Sequence, residues 1–227
     1  MTEVLVMQTG AGSIESVNAD FVHSWAIEEG HAYLVCDGIV HTEETREAVI
    51  EFAEKLSAED WCYVNDREMQ LSGNVLKAID CMSPHHDGRA FCCSIILIFD
   101  GYYVAGWCGD CRIGNVTLSA LEWLTTDDVP FLKMYQDGVI DYEFYLKSRH
   151  LLSCKLKVGQ NNIGCVKTFS GTLANCKNLI LCSDGFWSEV NLLNESIREH
   201  FSVEISNEVN RLARDGIDNF SVIVLDV

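Results

Sequence analysis

Residues 91–99 form one nearly unbroken apolar run and residues 102–107 form another, with only Asp100-Gly101 between them. That dipeptide tolerates positive φ, and between two apolar runs it signals a tight hairpin of type I′. A chain built around such a hairpin is committed to antiparallel sheet. Shorter runs repeat the pattern: residues 3–8, 21–27, 31–36, 112–118, 121–125, 164–169, 178–182 and 220–225 read as strands, with Glu29-Gly30 as a turn. Helical spacing interrupts them. Residues 42–56 carry Val49, Phe52, Ala53 and Leu56 behind Thr42, a suitable N-cap, and residues 66–82 carry Leu71, Val75, Leu76 and Ile79. A later helix is expected over 203–214, with short ones around Phe186 and Ser196. Residues 128–149, rich in Tyr and Asp, read as a flap-like excursion over the sheet that could face a substrate. The class is α+β, with antiparallel sheets packed together and covered by helices.

No low-complexity linker, repeat or charge block divides the 227 residues, so a single domain over 1–227 is the expectation. With 48% apolar residues the chain can build a real core. Sixteen basic against thirty-four acidic side chains leave a formal charge of −18, which disfavours a phosphate backbone as partner. Nucleic acid is therefore excluded from the expected partners. The longest apolar run falls far short of the ~18 residues that span a bilayer, and Met1 to Gly10 lacks a basic region followed by an apolar one. A cytoplasmic protein without membrane contact is expected.

The eleven cysteines sit mostly inside apolar runs, where a reduced thiol behaves as a small hydrophobe. Cys108 and Cys111 make a Cys-x-x-Cys pair, but no second pair or matching histidines follow, so zinc is not expected there.

Aspartates carry the chemistry. Tyr33-Leu-Val-Cys-Asp37-Gly38 and Leu179-Ile-Leu-Cys-Ser-Asp184-Gly185 each end a buried-looking strand and lead toward a helix, unlike the other Asp-Gly pairs, which read as turns. Asp218 immediately precedes the closing strand, and Asp20 opens the second. If these rims are neighbours, carboxylates ~4 Å apart repel by about 4 kcal/mol at an effective dielectric near 20. Bound cations relieve that repulsion. Hard oxygen donors, with no histidine expected beside them, favour magnesium or manganese over zinc or copper. A binuclear carboxylate site can aim hydroxide at phosphorus.

Taken in order, Asn18-Ala19-Asp20, Val35-Cys36-Asp37-Gly38, Gly109-Asp110-Cys111-Arg112, Ser183-Asp184-Gly185-Phe186-Trp187 and Asp218-Asn219-Phe220-Ser221-Val222 resemble the motifs of metal-dependent protein phosphatases of the 2C type, the PPM family. Tyr103-Val-Ala-Gly-Trp-Cys-Gly-Asp110, Leu124-Thr-Thr-Asp-Asp128 and Leu151-Leu-Ser-Cys-Lys-Leu-Lys-Val-Gly159 are similar to further segments of that family. The resemblance covers nearly the whole chain and looks like a divergent bacterial member. It implies a four-layer α-β-β-α sandwich of two antiparallel sheets flanked by helices. It also implies hydrolysis of phosphoserine and phosphothreonine in proteins by direct attack of metal-bridging hydroxide, with two or more Mn2+ or Mg2+ ions per chain. Asp37 would bridge two metals and the Gly38 carbonyl would join one of them. Asp184 and Asp218 would hold the other, Asp20 would act through bound water, and Asp110 would approach an additional metal position. Asp37 and Asp184 are the expected catalytic residues.

The chain departs from the family at the phosphate-binding positions. Glu15 stands where the family usually carries arginine, Ala19 replaces the glutamate of Asn-Glu-Asp, and Ile39-Val40-His41 replaces His-Gly-Gly. His41, Arg89 and Lys133 are candidates for the phosphate contact, although each reads more readily as a surface residue. These departures motivate the alternative of a pseudophosphatase, a binding or regulatory module that keeps the fold. A cysteine-based redox sensor is a weaker rival. His85-His86, lacking a third ligand in the sequence, reads as a solvated loop, and Arg112 as structural. Trp25, Trp107, Trp123 and Trp187 read as core. The expected partner is a phosphorylated protein, a kinase or a kinase target, met by a monomer.

Overall fold

The computed structural model describes residues 2–62, 64–117, 121–192 and 201–227. The first strands are β1 (Glu3–Gly10), β2 (Phe21–Ile27), β3 (Gly30–Gly38), β4 (Ala90–Phe99), β5 (Tyr102–Cys108) and β6 (Arg112–Val116). They are followed by β7 (Leu121–Trp123), β8 (Leu156–Lys157), β9 (Lys167–Thr172), β10 (Asn178–Cys182) and β11 (Phe220–Asp226). The helices are α1 (Glu43–Ser57), α2 (Arg67–Asp80), α3 (Leu132–Gln136), α4 (Tyr142–Ser148), α5 (Asp184–Trp187) and α6 (Phe201–Asp215). One sheet has the order β1-β11-β10-β6-β7; the other runs β2-β3-β4-β5-β9, with β8 on the start of β4. Every pairing among them is antiparallel.

Side-chain alternation explains the layering. On β3, Ala32, Leu34 and Cys36 face the cluster that contains Val49, Phe52, Leu71 and Val75 of α1 and α2. Tyr33 and Val35 face the other way, onto Leu179, Leu181, Ile223 and Leu225 of the opposite sheet. The outer face of that second sheet, through Ile180, Phe220, Val222 and Val224, packs on Ile205 and Leu212 of α6. The strands are apolar on both faces because each sheet is covered twice. The result is a four-layer α-β-β-α sandwich.

The helix starts follow from local chemistry. Thr42 accepts a hydrogen bond from Thr45 N at 3.3 Å to cap α1, with Glu43 and Glu44 in the first turn. Asp66 caps α2 through Met69 N at 2.9 Å, and Asp141 caps α4 through Phe144 N at 2.8 Å.

Several local expectations change. Asp100-Gly101 is not a type I′ turn: Gly101 has φ +79°, but Glu29 alone among the described non-glycine residues has positive φ, so Asp100 stays on the negative side. At the β2–β3 turn the left-handed position falls on Glu29, with φ 61°, and not on Gly30. The strand expected over 164–169 begins at Lys167, because Cys165 N donates to Asn162 O and Ile163 N to Asn161 Oδ1, which holds 161–165 in turns. The excursion over 128–149 contains α3 and α4, with Tyr135 stacked on Tyr145 at 5.0 Å. The helix expected around Ser196 and the end of the strand expected at Leu118 lie outside the described residues. No described helix is long and apolar enough to cross a membrane.

Candidate functional site

Both sheets deliver aspartates to one end of the sandwich. Asp37 and Gly38 close β3, and Asp20 sits immediately before β2, whose Phe21 pairs with Cys36. On the other sheet Asp184 opens α5 after β10, and Asp218 lies two residues ahead of β11, which pairs with β10. Asp110 occupies the crossing from β5 to β6, where the chain passes between sheets.

Close packing of backbone makes the junction possible. A Cβ on Gly185 would sit 1.9 Å from the Asn219 carbonyl oxygen, so only glycine lets α5 approach the Asp218-Asn219 turn. Asn219 ties the loops together. Its Oδ1 accepts from Ala19 N at 2.7 Å and its Nδ2 donates to Ala11 O at 3.3 Å.

The five carboxyls interact. Burial first, then Asp218, push Asp184 up, and the neighbouring Asp37 carboxyl partly opposes that push. Asp37 stands well above the usual carboxylate range, first through burial, then through repulsion from Asp20, Asp184, Asp110 and Asp218. Burial, then repulsion by Asp184 and Asp127, pushes Asp110 up to about 7. Asp20 is pushed up to about 8 by burial foremost, with Asp184 and Asp218 adding to it. Asp37 and Asp184 keep part of their surface open at the rim, whereas Asp20 is 2% exposed. Both Asp20 oxygens are wholly buried and accept no hydrogen bond. The hydroxyls of Ser183 and Ser221 pull the other way: Ser183 Oγ accepts from Ser221 N at 2.8 Å and keeps its own O–H free, while Ser221 Oγ donates to Thr9 Oγ1 at 2.9 Å.

A buried carboxylate without a partner, beside four more, must either hold a proton or share a cation. The donor set is oxygen, carboxylates and the Gly38 carbonyl at the buried end of β3, which fits Mg2+ or Mn2+.

Histidine is nearer than expected. His41 Nδ1 lies 3.2 Å from Glu15 Oε2 and its Nε2 lies 3.3 Å from Asp218 Oδ1. The sequence placed no histidine beside the aspartates, because the Glu15 loop and the Asp218 turn meet only in the fold. Ala19 is fully buried against Gly38, where an added Cβ would come within 2.8 Å of it.

The other candidates separate. Arg89 lines a cavity of about 210 Å³ with Lys155 and Lys157, beside Ile39 and Val40 at the end of β3. No sequence reading singled out these two lysines; their alternation with Leu156 on a short strand was the available signal. Lys133 is exposed on α3 and paired with Asp137. Arg112 meets Asp127 with two bonds of 2.8 and 2.7 Å and lies 3.4 Å over the Trp187 ring, whose Nε1 donates to Asp110 O at 2.9 Å. The His85-His86 pair is not a solvated loop: His86 is 2% exposed, with Nε2 3.0 Å from Glu51 Oε2. Trp25, Trp107, Trp123 and Trp187 are only partly buried, at the edges of the core.

Solved structures share this architecture. A bacterial serine phosphatase is 18% identical over 100% of this chain and 98% of its own, with a TM-score of 0.83. The S. agalactiae serine/threonine phosphatase is 18% identical over 100% of both chains, with a TM-score of 0.81. The Mycobacterium tuberculosis serine/threonine phosphatase PstP/Ppp is 20% identical over 100% of this chain and 98% of its own, with a TM-score of 0.77. No family model matches the sequence, and no curated protein matches it. The chain has the fold of the PPM, or 2C-type, serine/threonine phosphatases.

Proposed function

We propose that this chain is a metal-dependent protein phosphatase acting on phosphoserine or phosphothreonine. The observation that carries the reading is the meeting of five carboxyls from two sheets at one rim, with Asp20 buried and unpaired. Asp37, the Gly38 carbonyl, Asp184 and Asp218 would hold two Mn2+ or Mg2+ ions, with Asp20 contributing through water and Asp110 toward a further position. Bound ions would supply Lewis acidity and a water of lowered pKa for cleavage of the phosphoester.

The protein's own groups do the rest. Asn219 and Gly185 hold the Asp184 and Asp218 segments in contact, so the carboxylates need little reorganisation when charge arrives. Arg112, locked on Asp127 and Trp187, steadies the Asp110 carbonyl through the indole. In a chain of net charge −18, Arg89, Lys155 and Lys157 line a cationic cavity past the end of β3 and Arg149 acts on Asp184, and the cavity suits the negative charge of a phosphorylated segment. His41 turns Glu15 away from a role as a bare anion facing the phosphate. The substrate would be a phosphorylated protein, a kinase or kinase target, met in the cytoplasm by a monomeric single-domain enzyme with a flap at 128–149.

A pseudophosphatase is the second reading. Its specific support is Glu15, together with Ala19, which leaves no carboxylate between Asn18 and Asp20. Calorimetry with Mn2+ and turnover of a phosphothreonine peptide separate the two. The enzyme binds at least two ions and releases phosphate, with Arg89→Ala raising KM; a chain that binds at most one ion and releases none is the module.

A further inference from the structure

The phosphatase reading leaves the cysteines unused, and two of them meet an aspartate, with a third close by. Cys108 Sγ, Cys154 Sγ and a carboxylate oxygen of Asp128 all lie within 4.8 Å of one another. Cys165 stands next to Cys154, just outside that 4.8 Å group. All three sulfurs pack on the cluster between the β2–β9 sheet and α1 and α2. Cys111 points into the core between the sheets, so the Cys-x-x-Cys spacing is not a chelating unit. The partners of Cys108 come from the loops before β8 and β9, which no local motif reveals.

We propose that Cys108, Cys154, Cys165 and Asp128 bind one tetrahedral divalent cation of the thiophilic, zinc class. Two sulfurs and a carboxylate already lie within ligand reach of one ion, Cys165 beside Cys154 would complete a tetrahedral set by a small side-chain movement, and soft donors select zinc over the hard ions suited to the aspartate rim. Packing as small hydrophobes accounts for a thiol in the core, and here a carboxylate 7% exposed lies beside two of them as a further donor. Asp128 is held in place: its Oδ2 accepts from Gly109 N at 3.0 Å and its Oδ1 bonds Lys167 Nζ. Each oxygen retains a lone pair for a ligand bond. Lys167 also stands near Cys108, placing a positive charge where bound thiolates would accumulate negative charge. The cation would join the end of β5, the start of the flap and two loops around the Gly109-Asp110 turn. The site uses no rim aspartate and stands apart from the phosphatase reading.

Cobalt tests it by spectrum. The full-length, reduced, metal-free chain is titrated with Co2+, and a thiolate-to-cobalt charge-transfer band with intense tetrahedral d–d bands should saturate at a single ion and vanish on adding Zn2+. Cys154→Ser and Cys165→Ser should each weaken that binding at least about tenfold, while Asp37→Asn leaves the band intact. Absence of the thiolate band, its survival in the Cys154→Ser/Cys165→Ser double variant, or a Cys154–Cys165 disulfide forming in zinc-loaded protein overturns the proposal. Should the double variant fail to fold, X-ray absorption on the zinc-loaded wild-type chain decides: three sulfurs at about 2.3 Å sustain the site, and an all-oxygen or nitrogen shell removes it.

Discussion

His41 Nε2 lies 3.3 Å from Asp218 Oδ1 while its other ring nitrogen reaches Glu15. The imidazole thereby joins the residue that occupies the family's arginine position to one of the rim aspartates, although the three come from loops near residues 15, 41 and 218. The link gives Glu15 a partner that the sequence did not suggest.

Restoring a cation at that position should restore a phosphate contact. Glu15→Arg is expected to lower KM for p-nitrophenyl phosphate about tenfold, the worth of one charge-assisted hydrogen bond to the dianion. Steady-state kinetics on the two proteins check this; an unchanged KM places the phosphate away from residue 15.

Replacing a rim carboxylate should separate function from stability. Asp184→Asn removes a repelled, half-buried charge yet keeps a polar group of the same shape beside Asp37. Phosphopeptide hydrolysis is expected to fall at least about 100-fold, while the metal-free variant melts at or above the wild-type temperature. A parallel loss of activity and Tm would mark Asp184 as a structural residue.

Acid should stabilise the metal-free protein. Asp20 at about 8, Asp110 at about 7 and Asp37 well above its usual range all hold protons in the folded state that the unfolded chain, near 3.8, has released. Raised folded values mean stability is greatest below the unfolded value near 3.8 and declines between about pH 4 and 8. Each fully linked proton costs about 1.4 kcal/mol per pH unit, or roughly 3–5 °C in Tm. Thermal melts across that range in chelator should slope downward, and Mn2+ should flatten the slope by replacing the protons.

The Arg112 pair should behave as a buried one. Asp127 is 6% exposed at its side chain and accepts both guanidinium bonds, so Arg112→Ala strands a carboxylate beside Asp110. A loss of about 3–5 kcal/mol in urea unfolding is expected. Arg112→Lys should recover little of it, because an ammonium cannot match the two-point geometry or the stacking on Trp187.

The strands were legible because burial on both faces forces apolar runs, and the helices because caps and one-sided burial leave a periodic trace. Thr42, Asp66 and the Val49–Phe52–Leu56 stripe are local signals of local structure. Turn type was not, since Asp-Gly is compatible with several turns and the choice at Asp100 depends on how β4 and β5 register. The rim aspartates were visible as strand-end residues, and their order along the chain pointed to one fold.

What the sequence determined by itself was therefore the alternation of buried strands and covering helices, and which carboxylates would sit at strand ends. Only tertiary structure decided their company: that Asp184 meets Asp37, that His41 stands between Glu15 and Asp218, and that Cys108 meets Cys154 and Asp128 and not Cys111. The physical reason is range. Backbone periodicity is written over a few neighbouring residues, whereas electrostatic and ligand contacts form between segments that only the packing of two sheets brings together.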